Sequence, residues 1–443
     1  MGKNRKDGGQ LLRHAREAAV RHGGDYVRSL PVLLKWLLIA GLVGVIVGAA
    51  ASGFAHVLIY VNQLRAAWPL LVLGLPLGGL LIVFLYRVTK NHDDRGTNTV
   101  LASIQSSSEI SFKMAPLIFL STVITQLFGG SAGREGAALQ LGGSIAKKLG
   151  SLLRLKPFDR RIIVMCGMSA GFSAMFGTPL AAAVFSLEVV AVGAMHYAAL
   201  VPCVTASLTA HMMAGLLKVP PEIFPVADLG SLSPLSFLQV VGLSAAVAAA
   251  GILFCLILHK AEHLYEKHLR NPYLRIAVGG LLVMGLSFLP GMKQYLGSGM
   301  GIIERIFHEG EADSLSFLLK MLFTALTLGA GFKGGEIVPS FTIGAALGCV
   351  LAPVLGLPVP LAAACGMTGL FCSVTNCPIT ALLIAFELFG FAGMPYYLTA
   401  AAVSYLLSGY HSLYHKQKIL YSKTGWSRRD QEADDLERNG EPE

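Results

Sequence analysis

Five stretches of this chain are too apolar, and several too long, to be one face of a soluble domain: residues 31–61, 68–86, 237–258, 276–289 and 395–407. A helix needs about 18 to 20 predominantly apolar residues to cross the hydrocarbon core of a bilayer. Several of the runs reach that length, and the others are shorter and interrupted by Gly or Pro. Composition agrees. The chain is 54% hydrophobic and only 14% charged, with a mean hydropathy of +0.61, whereas soluble domains are about a quarter charged. The sequence predicts an all-α integral membrane protein that crosses the bilayer many times.

Charge sits at the edges of these runs. The first 30 residues are basic, and the first apolar run begins too late and continues too long for a cleaved signal peptide. Residues 1–30 are therefore expected to be a cytoplasmic segment with a surface-lying amphipathic helix. Residues 416–443 form a short charged tail that opens with Lys416, Lys418 and Lys423. It is expected to be cytoplasmic and partly disordered. The expected location is the cell inner (plasma) membrane, with multiple passes and both termini in the cytoplasm. The net charge of +9 is concentrated in such flanks and in loops, as at Lys147, Lys148, Arg160 and Arg161. Positive-inside topology accounts for it without a nucleic-acid partner. The seven cysteines all lie in apolar stretches without metal-finger spacing and read as small packing residues. The run "HEGE" at 308–311 is not the zinc pattern H-E-x-x-H and reads as a solvated loop. Neither a metal nor a cofactor is implied.

The chain also repeats itself. In the first half, Gly133 and Gly142 bracket "GREGAALQLG"; in the second, Gly335 and Gly344 bracket "GEIVPSFTIG". Each pair spans nine steps, and the two pairs stand 202 positions apart. Pro179 and Glu188 in the first half match Pro378 and Glu387 in the second, again nine steps each, at an offset of 199. Two matched pairs at nearly one offset indicate a duplicated unit of about half the chain. In membrane transporters such units commonly run antiparallel, with the binding site at their interface near the midplane. Gly- and Pro-broken apolar segments at corresponding positions point to that site. Here they are residues 130–142 and 331–344.

A helix that begins inside the bilayer has unpaired N–H groups at its first turn, and these with the helix dipole favour an anion. Two such half-helices aimed at one point make an anion site without a bound cation, which would hold the anion too tightly for release. Glu135 lies in the first break, beside Arg134. An intramembrane carboxylate is a functional site by default, and the plainer alternative is a structural partner of Arg134. Glu188 and Glu387 read as structural acids accepting N–H bonds at a helix start.

These residues resemble the CLC family of chloride channels and proton-coupled anion exchangers. "GREG" at 133–136 resembles the family motif G-[KR]-E-G-P, with Ala137 in the place of its Pro. "GGEIVPSFTIGAALG" at 334–348 resembles the motif G-x-F-x-P, with Ile337 at the Phe position and Pro339 matching its Pro. "SLYHKQ" at 412–417 resembles the short C-terminal helix that carries the family's central Tyr. The resemblance covers about residues 30–420. It implies that Glu135 is the gate, occupying the outer anion site when ionised and swinging out when protonated. It implies that Tyr414 points its hydroxyl at the central anion, and that backbone N–H groups near Gly136, Ile337 and Val338 complete the cage. It also implies a homodimer with one pore per subunit. The family's paired regulatory domains do not fit in residues 416–443.

The departures carry information. The family's first loop, G-S-G-I-P, corresponds to "RGTNTV" at 95–100, where Thr97 or Asn98 replaces the Ser as an anion contact. The exchangers' internal proton-transfer Glu falls at Val189, which favours a passive, voltage-gated chloride channel. Glu336, however, precedes the Ile337–Val338 pair. The fluoride-exporting branch of the family likewise lacks the internal Glu and has an acid in this motif. Glu336 is thus a candidate inner proton relay, with a helix-capping acid as the alternative.

The domain organisation expected is a membrane domain over 31–415, with repeats at about 31–217 and 235–415, flanked by the two cytoplasmic segments. The function expected is transport of chloride-class halides, with proton-coupled antiport gated by Glu135. Fluoride/proton antiport and a passive chloride channel are the alternatives. Lipid, protons and chloride or fluoride are the partners. A membrane-embedded enzyme would need a cluster of His, Asp, Glu or Cys inside the spans, and the sequence offers none.

Overall fold

The computed structural model describes residues 4–91, 96–106, 110–224, 226, 232–425 and 428–432, with backbone only for 4–28 and 428–432. The same succession of eight helices occurs twice. The first series is α1 (Asn4–Ala67), α2 (Leu75–Val88), α3 (Thr97–Ser106), α4 (Met114–Leu127), α5 (Glu135–Leu152), α6 (Pro157–Phe176), α7 (Pro179–Glu188) and α8 (Leu200–Leu216). The second is α9 (Pro234–His268), α10 (Pro272–Ser287), α11 (Met300–Glu309), α12 (Ser316–Gly329), α13 (Ile337–Leu355), α14 (Val359–Thr375), α15 (Pro378–Phe389) and α16 (Met394–Leu407). Among the described residues, five helical stretches of 18 residues or more are apolar enough to cross a membrane. Others, such as α7 and α11, have only 10 residues, and α7 ends inside the molecule at the buried Glu188. Short helices are tolerated at membrane depth only where protein or a water-filled cavity covers their ends. The lipid-facing surface is apolar: Leu38, Leu77, Leu152, Leu216 and Val354 are each 70% exposed or more.

The ends of the short helices are covered reciprocally. Glu188, at the end of α7, accepts bonds from Ile379 N (3.1 Å), Thr380 N (2.8 Å) and Thr380 Oγ1 (2.6 Å) at the start of α15. Glu387 in α15 accepts bonds from Leu180 N (2.8 Å) and Ala181 N (2.9 Å) at the start of α7. The first-turn N–H groups have no partner within their own helix. The structural role read for both acids is the one observed, and each acid serves the opposite repeat.

Glycines set how closely the inner helices approach. A methyl placed on Gly142 of α5 would lie 2.0 Å from Gly167 O of α6, and one on Gly344 of α13 would lie 2.3 Å from Gly366 O of α14. The two matched glycines thus serve helix crossings related by the repeat, rather than close approach to an ion. Phe172, Phe176, Phe185, Phe341 and Phe371 form a closed ring of aromatic contacts between α6, α7, α13 and α14, with centroids 5.3–6.0 Å apart. All seven cysteines are buried and unpaired, as packing residues should be.

Two boundaries differ from expectation. No helix ends at residue 30: α1 runs unbroken through Pro31. The C-terminal segment is ordered where it leaves α16. Strand β1 (Ala191–Val192) pairs in parallel with β2 (Lys418–Tyr421), and β2 pairs antiparallel with β3 (Arg428–Glu432). Gln417 and Ile419 are fully buried. Lys423 Nζ donates to Asn376 Oδ1 (2.5 Å), Tyr405 O (3.0 Å) and Ser408 Oγ (3.1 Å). These contacts join residues 417–423 to the helices around them.

Candidate functional site

The two glycine-rich breaks meet. Gly133 N donates to Gly335 O (2.6 Å) and Gly335 N to Gly133 O (2.9 Å), a two-bond antiparallel bridge. It fixes the start of α5 against the start of α13. A methyl on Gly335 would lie 2.6 Å from Gly136 N, so only glycine permits this approach. The first break is held from behind by α12. Ser131 N donates to Thr327 Oγ1 (3.0 Å), and Lys320 Nζ donates to Ser131 Oγ (2.9 Å), Gly297 O (2.7 Å) and Tyr295 O (3.2 Å).

A third helix start joins them. A methyl on Gly136 would lie 3.3 Å from Thr97 Oγ1 and 3.4 Å from Glu336 Oε2, so both polar groups face Gly136. Thr97 opens α3, Gly136 lies in the first turn of α5, and Glu336 is the N-cap of α13. The dipoles of three helices therefore aim their positive ends into one buried place. Ile337 and Val338 are fully buried in the first turn of α13. Their N–H groups and that of Gly136 have no carbonyl partner within their own helices.

The carboxylates differ in their company. Glu135 is fully buried; its Oε2 accepts from Arg134 N (3.0 Å) and its Oε1 from Arg134 Nε (3.3 Å). Glu336 Oε2 has no hydrogen-bond partner, and no side-chain capping bond forms at the start of α13. The capping alternative for Glu336 is not what the geometry contains. Tyr414 is buried, its hydroxyl has no partner among the described residues, and it lies within electrostatic reach of Glu336 and Glu135. It sits in a turn between α16 and β2, not in the short C-terminal helix that the resemblance implies. The bond from Tyr414 N to Ser412 Oγ (3.1 Å) and the pairing of β2 hold that turn.

Asn98 is partly committed elsewhere: its Oδ1 accepts from Lys416 N (3.1 Å). Only its amide nitrogen remains for an anion, so Thr97 is the better contact of the two. Arg95, in the same loop, lies outside the described residues. Val189 is fully buried, and its carbonyl takes a bond from Gln417 Nε2 (3.1 Å). An open cavity of about 1970 Å³ reaches this place, lined among others by Asn98, Gln140, His259, Glu262, Glu336 and His415.

Two residues escaped the sequence reading. Lys320 carried a visible signal, a lone cation inside the apolar run "SFLLKMLF". Glu222 carried none. It lies in the connection between α8 and α9, and Arg134 donates to it through Nη2. Arg134 thus shares a single guanidinium between Glu135 and Glu222.

Arrangements of this kind are found in known proteins. A family model described as "Voltage gated chloride channel" matches residues 77–409. The chain is 37% identical over 401 residues to the "Chloride/fluoride channel protein" of Pseudomonas syringae pv. tomato, covering 89% of this chain and 88% of that one. It is 24% identical over 390 residues to the "H(+)/Cl(-) exchange transporter ClcA" of Vibrio cholerae, 80% of this chain and 81% of the relative. The crystal structure of a CLC-type fluoride/proton antiporter matches with a TM-score of 0.85 at 34% identity, over 87% of this chain and 98% of that one. A slow cyanobacterial Cl−/H+ antiporter shares the fold, with a TM-score of 0.74 at 19% identity over 84% and 94% of the two chains.

Proposed function

Because the chain belongs to the voltage-gated chloride channel (CLC) family, we propose that it exchanges fluoride for protons, with Glu135 as the gate. It is a transporter of inorganic anions and not an enzyme. The observation that carries the proposal is the position of Glu336. Its unpartnered carboxylate oxygen faces Gly136 at the meeting point of three helix starts, and its side chain lines the open cavity.

The steps follow from the geometry. An anion entering through the cavity exchanges its water for the hydroxyls of Thr97 and Tyr414 and the N–H groups of Gly136, Ile337 and Val338. Small, strongly hydrogen-bonding fluoride gains most from a site made of such donors. The Glu135 carboxylate competes for the same donors as an anion in its own right. Protonation removes its charge, so it yields the place and carries a proton the other way. Glu336 passes protons between the cavity and the site, the task that Val189 leaves without a carboxylate. The identity to a fluoride/proton antiporter of known structure and to a chloride/fluoride channel protein supports the choice of fluoride.

Efflux from loaded liposomes, read with fluoride- and chloride-selective electrodes, tests the selectivity. Fluoride should leave at least tenfold faster than chloride, and equal rates or faster chloride would refute it. Val189 favours a second reading, a passive chloride channel, for which efflux would run without proton movement. The rest of the proposal concerns setting. The repeats occupy about 31–217 and 235–415, the protein is a homodimer in the cell inner membrane, and both termini are cytoplasmic. The apolar exposed faces of α8 and α9 support association within the membrane.

A further inference from the structure

Arg134 serves two acids. Its backbone N–H and Nε donate to Glu135 at 3.0 and 3.3 Å, and its Nη2 donates to Glu222 Oε1. Both acceptors are largely buried, with side-chain exposures of 0% for Glu135 and 13% for Glu222. Neither Arg134 nor Glu222 lines the cavity that Glu336 faces, so this pairing lies away from the cavity route.

Glu222 is held in place rather than drifting near. Phe224 N donates to Leu388 O (2.8 Å) and Val226 N to Phe389 O (3.2 Å), tying its connection to the end of α15. The Phe224 ring stacks on Phe307 of α11 at 5.1 Å, and Pro221 lies against Gly177 at the end of α6. Among the described residues Glu222 Oε2 has no hydrogen-bond partner, so Arg134 is the side chain there that neutralises this acid. Among the described residues, the charged groups facing Glu222 are Arg134 and Glu135 at the start of α5 and Glu304 of α11. One cation therefore stands against three acids, two of them buried. Burial pushes Glu222 up to about 7; Glu135 and Glu304 add to the rise and Arg134 opposes it.

We propose that Glu222 sets the pH range of transport by competing with the gate, Glu135, for the single guanidinium of Arg134. When Glu222 is ionised, Arg134 is divided, and Glu135 is more readily protonated and released. When Glu222 is neutral, Arg134 attends to Glu135 alone and holds it, ionised, in the blocking position. Glu222 is a positioning residue that acts through Arg134, and the inference rests on the transport reading given above.

The test is fluoride efflux from liposomes, measured from about pH 5 to pH 8, for wild type, Glu222→Gln and Glu222→Asp. Removing the charge should move the midpoint of acid activation about one pH unit lower. The Asp variant keeps the charge and should return the midpoint most of the way to the wild-type value. Variants that slow efflux by one factor at every pH, with the midpoint unmoved, would make Glu222 a structural brace and overturn the inference. A shift of Glu222→Gln to higher pH would overturn it too. Wild type that passes no fluoride at any pH would overturn the transport reading, and this inference with it.

Discussion

At the scale of single residues, the proposed mechanism is a contest between an anion and a carboxylate for the same donors. Glu135 could be found in the sequence because a charge in a glycine break between apolar segments is costly unless it is used. Tyr414 and Glu336 could be found by position in a motif, but their unpartnered oxygens are visible only in the fold. Glu222 could not be found at all, because nothing near it in sequence shows that the α8–α9 connection folds over Arg134. Tyr414→Phe should leave the fold intact, since the hydroxyl bonds to no protein group, and should weaken anion binding by about 1 kcal/mol. Titration calorimetry with fluoride would read that as a roughly fivefold loss of affinity. An unfolded variant, or unchanged affinity, would remove Tyr414 from the site.

At the scale of elements, the molecule consists of helix starts that are closed from the other repeat. The Pro–Glu spacing showed that Glu188 and Glu387 were equivalent, but their reciprocity needed coordinates, because each accepts from a helix about 200 residues away. Glu188→Gln should cost about 2 kcal/mol, as expected for loss of a charged acceptor of buried bonds. Glu387→Gln should cost less, because Glu387 accepts two bonds where Glu188 accepts three. Thermal unfolding in detergent measures both, and the opposite order would contradict the capping account. The inner crossings are less tolerant. Gly142→Val and Gly344→Val put atoms where backbone carbonyls already lie, and strain of that kind exceeds the usual overpacking cost of about 1–3 kcal/mol. Neither variant should elute as a monodisperse species on gel filtration. The partner glycines, Gly167 and Gly366, could not be paired with them from spacing alone, since the crossing point depends on how the helices turn.

At the scale of the whole molecule, the apolar runs and the repeat fixed the class of fold, while charge was a poorer guide to boundaries. Charge at residue 30 marked no helix end, and the charged sequence after residue 415 is packed as far as Lys423, because Ile419 and Gln417 are buried and Lys423 reaches three acceptors. Lys423→Ala should therefore expose the segment around β2 to trypsin, and an unchanged digestion pattern would show that the strands hold it unaided.

In the proposed mechanism one buried site couples anion and proton through Glu135 and Glu336. Its most direct test is proton movement in liposomes with a fluoride gradient, no pH gradient at the start and the membrane potential clamped by potassium and valinomycin. Wild type should drive protons opposite to fluoride, building a pH difference; Glu135→Gln should abolish this and Glu336→Gln reduce it severely. Dissipation of the fluoride gradient by wild type without any pH difference would contradict the account and leave a passive pore.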